Sequence, residues 1–303
     1  MAKVTAAMVK ELRERTGAGM VDCKNALTES SADIERAIEI LREKGLSALA
    51  KKSGRVASEG LSYTYIEGNL GIIVEVNSET DFVAKNNEFT SFVENVAKQI
   101  FKSSSKLPDE LLKEPWHIDT SITVEEVLSH KTAIIGEKLS IRRFEKYETN
   151  GVLTNYIHAG GKVAVMLELS GSTNDKIQEV GKNIAMQIAA MNPRFTDRSK
   201  VPQDFIEKEK EILTQQALAE GKPANIVEKM IEGRLNKYLK DICLIDQEYV
   251  KDSDLTIKQY LENVSKEVGH PISIERFVRY ETGEGIEKKE ENFAEEVNKA
   301  MNG

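Results

Sequence analysis

The sequence predicts an α+β fold, and three of its features support this class. Apolar residues recur at helical spacing over residues 1–45, which indicates short helices. From Leu61 the apolar period shortens to that of strands. Segment 140–149 recurs 133 residues later as segment 273–282, with seven of ten positions identical. Such a repeat indicates two related core subdomains, each a small antiparallel sheet with helices.

The first 54 residues predict a compact three-helix bundle. Thr5 is a candidate N-cap for the first helix, and Gly17 is a candidate terminator. The apolar face of the second helix comprises Met20, Cys23, Ala26 and Leu27. The third helix is expected between Ser31 and Gly45, where apolar residues stand three and four positions apart. A polar run then places a domain boundary at residue 54.

Residues 55–150 predict the first core subdomain. Two strands joined at Gly68-Asn69 form a hairpin, and a strong helix follows it. The apolar stripe of that helix comprises Phe89, Phe92, Val93, Val96, Ala97 and Ile100. Segment 101–122 has no regular period and is expected to be an irregular excursion. A second helix then precedes the repeated strand.

The segment between the hairpin and the strong helix allows two interpretations. If one helix ran from Asp81 onwards, Phe82 would stand seven residues before Phe89 and join the apolar stripe. If Asn86 or its neighbour caps the helix, residues 80–83 form a separate turn and Phe82 faces solvent. An aromatic at a loop tip beside a carboxylate is a candidate binding hot spot. Spacing alone leaves core packing open.

The second core subdomain is expected over 151–193 and 241–285, with a helical hairpin inserted at 194–240. A Gly-Lys-Pro turn separates the two arms of this hairpin. Both arms carry apolar residues that they cannot bury on each other alone. The hairpin is therefore expected to pack on the body, on a partner or on a second copy of itself. Residues 286–303 predict a C-terminal helix.

Composition limits the function classes. The net charge of −8 and the pI near 5.4 argue against a nucleic-acid binder, because phosphate neutralisation needs a basic face. Two cysteines, Cys23 and Cys243, favour a reducing compartment over a disulfide framework. No apolar run approaches the ~20 residues that span a bilayer, and the N-terminus lacks a secretion signal. We expect a soluble, cytoplasmic protein that binds neither nucleic acid nor membrane.

No sequence pattern indicates a metal site, a cofactor loop or a catalytic set. The four histidines show neither helical pairing nor a neighbouring cysteine cluster. Gly17-Ala18-Gly19 lacks the lysine and the spacing of a phosphate-binding loop. We therefore expect no metal, no cofactor, no direct nucleotide binding and no covalent chemistry.

Several long segments resemble the elongation factor Ts family. Segments 12–20 and 23–27 are similar to its first signature, and segment 75–86, which contains Thr-Asp-Phe-Val, is similar to its second. The similarity continues through segments 221–223, 228–234 and 283–287. It covers nearly the whole chain in the family's order. The resemblance implies a ubiquitin-associated-like N-terminal domain, a two-subdomain core, an inserted helical hairpin and a C-terminal helix.

The resemblance also implies a function and the residues that perform it. Members of this family bind elongation factor Tu, in its GDP-bound and nucleotide-free states, and speed the release of its GDP. The residues implied to dislodge the partner's Mg²⁺ are Thr80, Asp81, Phe82 and Val83. The residues implied to contact its nucleotide-binding domain are Arg13, Met20, Val21 and Lys24. His158 lies where the family often has a partner-facing His-Gly pair, although Ala159 follows it here.

Some of these residues also allow alternative interpretations. Met20 also fits the bundle core, and Lys24 also fits a solvated helix surface. The three-helix bundle alone suggests a ubiquitin-associated-domain adaptor protein, against which the intact segment 80–83 argues. An enzyme is disfavoured because no nucleophile, base and orienting group occur together. The helical hairpin could form a homodimer or lie against elongation factor Tu.

Overall fold

The computed structural model describes residues 3–171, 174–220 and 224–287. The chain begins with a bundle of three helices. These are α1 (Ala6–Thr16), α2 (Met20–Glu29) and α3 (Ile34–Lys52). Thr5 caps α1, because its hydroxyl accepts the Met8 N–H at 3.3 Å. Gly17 ends α1 in the left-handed region, at φ 68°. The first helix therefore has the two ends that the sequence predicts.

The first sheet is antiparallel and is covered by helices. Its strands, in spatial order, are β1 (Glu59–Glu67), β2 (Leu70–Ser78) and β3 (Ser140–Glu148). The helices between β2 and β3 are α4 (Asp81–Ala84), α5 (Asn87–Lys102), α6 (Pro108–Leu111) and α7 (Val124–Ile135). Every member of the predicted stripe on α5 is buried. The core of this part lies between the sheet and these helices.

The second sheet repeats this plan. The remaining strands are β4 (Val152–His158), β5 (Val163–Leu169), β6 (Glu248–Tyr249), β7 (Asp252–Thr256) and β8 (Ile274–Glu281). The remaining helices are α8 (Asp175–Met191), α9 (Gln203–Ala219), α10 (Ala224–Ile242) and α11 (Ile257–Val268). Strands β4, β5 and β8 form one sheet in that order, and β6 pairs with β7. The predicted α+β class is confirmed.

Helices α9 and α10 correspond to the two predicted arms of the inserted hairpin. The two helices share one core, which includes Val201, Leu213, Leu235 and Leu239. Ile212 and Leu218 of α9 stay exposed, so the arms leave apolar surface uncovered. The Gly-Lys-Pro turn between the arms and the expected C-terminal helix, from residue 288 on, lie outside the described residues.

Both expected ends of the third helix are wrong. Helix α3 begins after Asp33 and not after Ser31, because the Asp33 carboxylate accepts the N–H three residues later at 3.0 Å. It also continues through Gly45, where the sequence predicts its end. A Cβ at Gly45 would lie 3.2 Å from the His130 ring on α7. Gly45 is therefore buried inside the helix, where it permits close packing of α3 on α7.

Segment 101–122 is packed onto the body, although its sequence shows no period. Trp116 is 5% exposed and belongs to the first core. The Glu114 carboxylate accepts the hydroxyls of Ser103 and Ser105 at 2.6 and 2.7 Å. Polar contacts between residues 9 and 11 positions apart hold this segment together, and helical or strand periodicity does not reveal such contacts.

The internal repeat extends to the helix ends. Thr123 caps α7 and Thr256 caps α11, each through a capping box with the residue three positions on. Gly136 and Gly269 end the same two helices in the left-handed conformation. Each pair is separated by the same 133 residues as the repeated strands.

An ion pair occupies the equivalent place in both sheets. Glu75 pairs with Arg143 and Glu168 pairs with Arg276, each at 2.6 Å. Both strand ladders shift register immediately after the glutamate, which marks a β-bulge. In the first sheet the shift leaves Arg142 outside the ladder. Arg142 is thereby available for a second contact with Glu75, at 2.9 Å.

Reciprocal arginine–tyrosine contacts join the two sheets. The guanidinium carbon of Arg143 lies 4.2 Å from the ring centroid of Tyr280, and that of Arg276 lies 3.9 Å from Tyr147. Each arginine thus reaches from its own sheet to the tyrosine of the other. Buried residues that line this junction include Ile73, Leu153, Ala164, Met166 and Val278. The two sheets therefore form a continuous body that positions the turns at its edges.

Gly181 lies on α8 where this helix packs closely against β4. A Cβ at Gly181 would lie 2.4 Å from Cγ2 of Thr154. We expect Gly181→Ala to lower the free energy of unfolding by about 1–3 kcal/mol, because overpacking outweighs the ~1 kcal/mol gain in helix propensity. Urea denaturation measures the effect. Gly233→Ala on α10 is the matched control, since nothing lies within 4 Å of its added Cβ. An unchanged midpoint for Gly181→Ala would contradict the close contact.

Cys23 and Cys243 are buried free thiols. Burial raises the pKa of Cys243 to about 11, so this thiol stays protonated at neutral pH. Across the described ranges, none of the helices combines the length and the apolar character that a bilayer crossing needs. Among the same residues, no three His, Cys, Asp or Glu side chains come together as a metal ion would require.

Candidate functional site

Phe82 projects from the body with 81% of its surface accessible, the largest exposure of any large apolar side chain in the described residues. It lies on α4, a single helical turn between β2 and α5. Asn86 starts α5, and its side chain accepts the Glu88 N–H at 2.8 Å. Because α5 begins there, Phe82 does not join the stripe that starts at Phe89. Of the two arrangements that the sequence allows, the structure has the separate, solvent-facing turn.

The residues around Phe82 are fixed to the body, and residues 80–83 are called the Phe82 turn from here on. Ala84 is buried, and Val83 packs against the first core. Thr80 starts the turn and donates both its N–H and its hydroxyl to the Glu137 carboxylate, at 2.9 and 2.6 Å. The turn is attached on both sides, so the phenyl ring extends from a rigid support.

Asp81 places a carboxylate beside the exposed ring. It accepts a hydrogen bond from the Lys85 ammonium, one helical turn later, at 2.7 Å. That hydrogen bond, with the charges of Lys85 and Lys162, holds the pKa of Asp81 below its ordinary value. Asp81 is therefore ionised at neutral pH. Its side chain is 45% exposed, so a donor on a partner could replace Lys85.

The four N-terminal candidate residues lie together on one groove between α1 and α2. Arg13 comes from α1, and the other three come from α2. The groove has a volume of about 470 Å³ and is lined also by Val4, Thr5, Ala6, Val9 and Lys10. Met20 is 62% exposed and Val21 is 70% exposed. With Lys24 at its edge, the groove combines apolar side chains and positive charges, which suits a protein surface with an acidic rim.

The position of Met20 corrects the expected packing face of α2. Cys23 and Leu27 are fully buried as predicted, but Met20 is mostly exposed. Met20 is the first residue of α2 and follows Gly19, so it lies one turn beyond the small bundle core. The apolar pattern of α2 extends beyond the part of the helix that the core covers. Spacing alone therefore predicts, wrongly, that Met20 is buried.

His158 is exposed at the end of β4. Its Nδ1 lies 3.0 Å from the Tyr156 hydroxyl. The turn that follows packs on β1, because the Gly161 carbonyl accepts an N–H of that strand at 2.8 Å. Lys162 in the same turn contributes to the lowered pKa of Asp81. The turn after His158 and helix α4 therefore both contact β1.

Sequence reasoning missed Glu137, which holds the Phe82 turn from 57 positions away in the chain. It lies in the short connection between α7 and β3, where no motif or period marks it. The sequence also gives no binding role to Val9 and Lys10, which line the groove. Val9 stands one helical turn before Arg13, so the spacing on α1 was a usable signal for that residue.

Surfaces of this kind are typical of a class of proteins that act by binding other proteins. Exposed apolar side chains on rigid supports are the usual anchors of protein interfaces. Comparison with protein families makes the assignment specific, because residues 79–284 match the family model described as Elongation factor TS. The chain belongs to the elongation factor Ts family, as its signatures suggest.

Individual relatives show the same relationship over the full length. The chain is 55% identical over 303 residues to elongation factor Ts of Clostridium novyi, and the match covers 99% of each chain. It is 56% identical over 304 residues to that of Clostridium kluyveri, again covering 99% of each. For Clostridioides difficile the identity is 53% over 304 residues, covering 99% of this chain and 100% of the relative.

Proposed function

We propose that this chain is a guanine-nucleotide exchange factor that binds elongation factor Tu and promotes release of its GDP. The observation that carries the proposal is Phe82, an aromatic ring 81% exposed on a turn that Thr80 and Ala84 anchor. A side chain presented in this way enters a partner at a small cost in conformational entropy. The name and the full-length similarity of the relatives support the same assignment.

The proposed mechanism acts on the Mg²⁺ of the partner. A GTPase holds its nucleotide through phosphate contacts and through a Mg²⁺ that the phosphates share. Phe82 would enter between helices of the GTPase, and Asp81 would bring negative charge and hydrogen-bond acceptors beside it. Thr80 and Val83 keep the turn in shape. Displacement of the elements that hold Mg²⁺ weakens GDP binding, and the empty site then takes up GTP.

Thermodynamic linkage determines which difference in binding affinity an exchange factor needs. An exchange factor shifts the partner only if it binds the nucleotide-free state more tightly than the GDP-bound state, since equal affinity for both shifts nothing. We assign this difference to the Phe82 turn. We assign to the groove around Met20 and Arg13 an affinity that both states share. The chain makes and breaks no covalent bond, and it accelerates exchange in both directions.

The proposal is tested by the release of a fluorescent GDP analogue from elongation factor Tu. The release rate is measured at fixed Mg²⁺, with excess unlabelled GDP, over a series of concentrations of this chain. We expect the rate to rise with concentration and to saturate. A release rate that does not depend on concentration would overturn the proposed function.

The groove is expected to contribute affinity but not the exchange step. Combined Met20→Ala and Val21→Ala should raise the half-saturating concentration about 10-fold and leave the maximal release rate nearly unchanged, because the groove binds both states of the partner alike. The concentration series above measures both quantities. Leu46→Ala on α3, where Leu46 is 41% exposed, is the matched control and should change neither. A reduced maximal rate at unchanged half-saturation would contradict this division of roles.

A further inference from the structure

The connection between α7 and β3 consists of Gly136, Glu137, Lys138 and Leu139, and the first three residues are called the junction here. On one side the junction holds the Phe82 turn. The Glu137 carboxylate accepts the N–H and the hydroxyl of Thr80, at 2.9 and 2.6 Å. The Lys138 N–H donates to the carboxylate of Glu79 at 2.5 Å. The junction thus holds two successive residues, Glu79 through its side chain and Thr80 through its N–H and hydroxyl.

On its other side the junction holds the end of α3. The Lys52 ammonium donates to the Gly136 carbonyl at 2.6 Å. The Lys138 ammonium donates to the carbonyls of Ser53 and Arg55, at 2.6 and 2.8 Å. These contacts lie next to the close packing of α3 on α7 at Gly45. The same three residues therefore contact the bundle that carries the groove and the turn that carries Phe82.

We propose that Glu137 is a positioning residue for the Phe82 turn, and that the junction presents this turn and the N-terminal bundle to one partner in a fixed relative orientation. This inference rests on the proposed exchange function. Glu137 acts through Thr80, to which it supplies both acceptors of a charge-assisted pair of hydrogen bonds. Two surfaces fixed in one geometry bind a partner together without the ordering cost that a flexible linkage adds.

The positioning role has a readout that needs no partner. The amides of Ala84, Lys85 and Asn86 donate to Thr80, Phe82 and Val83 carbonyls within or beside the turn, at 2.9 to 3.4 Å. In Glu137→Gln the shape of the side chain persists, but its negative charge is lost and only one acceptor oxygen is left, so the Thr80 N–H and hydroxyl can no longer both donate to a carboxylate. We expect hydrogen exchange of these three amides to be about 10-fold faster in the variant, with a fall in the free energy of unfolding of the whole chain of no more than the equivalent of about 1.4 kcal/mol.

Glu125→Gln is the matched control for this measurement. Glu125 is an exposed carboxylate in the first turn of α7, and its substitution should leave the three amides as they are in the wild-type chain. Unchanged exchange in Glu137→Gln would overturn the positioning role. A tenfold rise in both variants would also overturn it, because the effect would then not be specific to the junction.

The second readout is the release of fluorescent GDP from elongation factor Tu. Glu137→Gln should lower the maximal release rate about 10-fold with little change in the half-saturating concentration, since the turn and not the groove is loosened. Thr80→Val should lower the rate as well, and Thr80→Ser, which keeps the hydroxyl, should lower it less. Adding Glu137→Ala to Thr80→Val should have a smaller effect than Glu137→Ala has alone, because the hydroxyl hydrogen bond is already lost and only the one from the N–H of residue 80 remains to be removed.

The outcomes separate this inference from the proposed function. If hydrogen exchange rises but the release rate of Glu137→Gln equals that of the wild-type chain, the positioning role in exchange is overturned. If the effects of Glu137→Ala and Thr80→Val simply add, Glu137 does not act through Thr80 and the inference also fails. If the wild-type chain itself does not stimulate release, the proposed function fails, and hydrogen exchange alone decides whether Glu137 fixes the turn.

Discussion

Phe82→Ala is expected to lower the maximal rate of stimulated GDP release by roughly 30- to 1,000-fold, which corresponds to about 2–4 kcal/mol for a central aromatic anchor. The physical reason is that Phe82 is proposed to make its contacts with the partner after the nucleotide site has begun to open. The side chain is 81% exposed in the free chain. The substitution should therefore change the free energy of unfolding by less than about 0.5 kcal/mol.

A matched control shows whether the effect of Phe82→Ala depends on the place of Phe82 in the fold or only on the loss of an exposed apolar side chain. Ile118 is 63% exposed on segment 101–122, and Ile118→Ala should leave the release rate unchanged. Both variants are compared with the wild-type chain in the fluorescent GDP assay and in urea denaturation. Equal release rates for Phe82→Ala and the wild-type chain, at equal stability, would remove Phe82 from the mechanism.

Glu75→Ala is expected to lower the free energy of unfolding by about 3 kcal/mol, near the lower end for a broken buried ion pair. The Glu75 side chain is fully buried and accepts from both Arg142 and Arg143, at 2.9 and 2.6 Å. It also accepts the Gly283 N–H at 2.8 Å, which connects the first sheet to the chain after β8. Removal of the carboxylate leaves these donors without their acceptor. Urea denaturation at neutral pH measures the loss.

The contribution of Glu75 depends on pH in a defined direction. Burial alone would raise the pKa of Glu75, but the hydrogen bonds from Gly283, Asn77 and Arg142, with the charge of Arg143, hold it below its ordinary value. Because the folded-state pKa is the lower one, the stabilisation is complete above the unfolded pKa of about 4.3. It is lost as the pH falls through the folded-state value. The wild-type chain and Glu75→Ala should therefore converge in stability in acid.

The repeat supplies the control for Glu75. Glu168 occupies the equivalent position in the second sheet and pairs with Arg276 at 2.6 Å, but its side chain is 12% exposed and that of Arg276 is 44% exposed. Glu168→Ala should therefore destabilise the chain less than Glu75→Ala, because water can solvate the remaining arginine. Equal losses in the two variants at neutral pH would contradict the difference in burial on which the expectation rests.

Much of the fold is encoded locally and could be predicted from the sequence. The stripe on α5 and the cap at Thr5 follow from spacing and residue type, and both occur in the structure. The repeated segment predicted two related sheets, and the structure has them. Gly45 shows where local rules end. A glycine near the end of an apolar pattern predicts a C-cap, but contact with α7 decides its position inside α3.

The candidate site was predictable in part. Asn86 as a cap predicted a separate turn, and so allowed Phe82 to face solvent. The spacing of Met20 from Cys23 predicts a place on the packing face, and only the extent of the bundle core shows that Met20 lies outside it. Glu137 was beyond reach, because its role depends on a contact across 57 positions that no local pattern encodes.

The central claim is that this chain prefers the nucleotide-free state of elongation factor Tu. Isothermal titration calorimetry with nucleotide-free and with GDP-saturated elongation factor Tu, at the same Mg²⁺ concentration, tests this claim most directly. We expect the dissociation constant to be roughly 10- to 100-fold lower for the nucleotide-free protein, and we expect Phe82→Ala to reduce that ratio. Equal dissociation constants for the two states would contradict the claim, because a factor with no preference cannot drive GDP release.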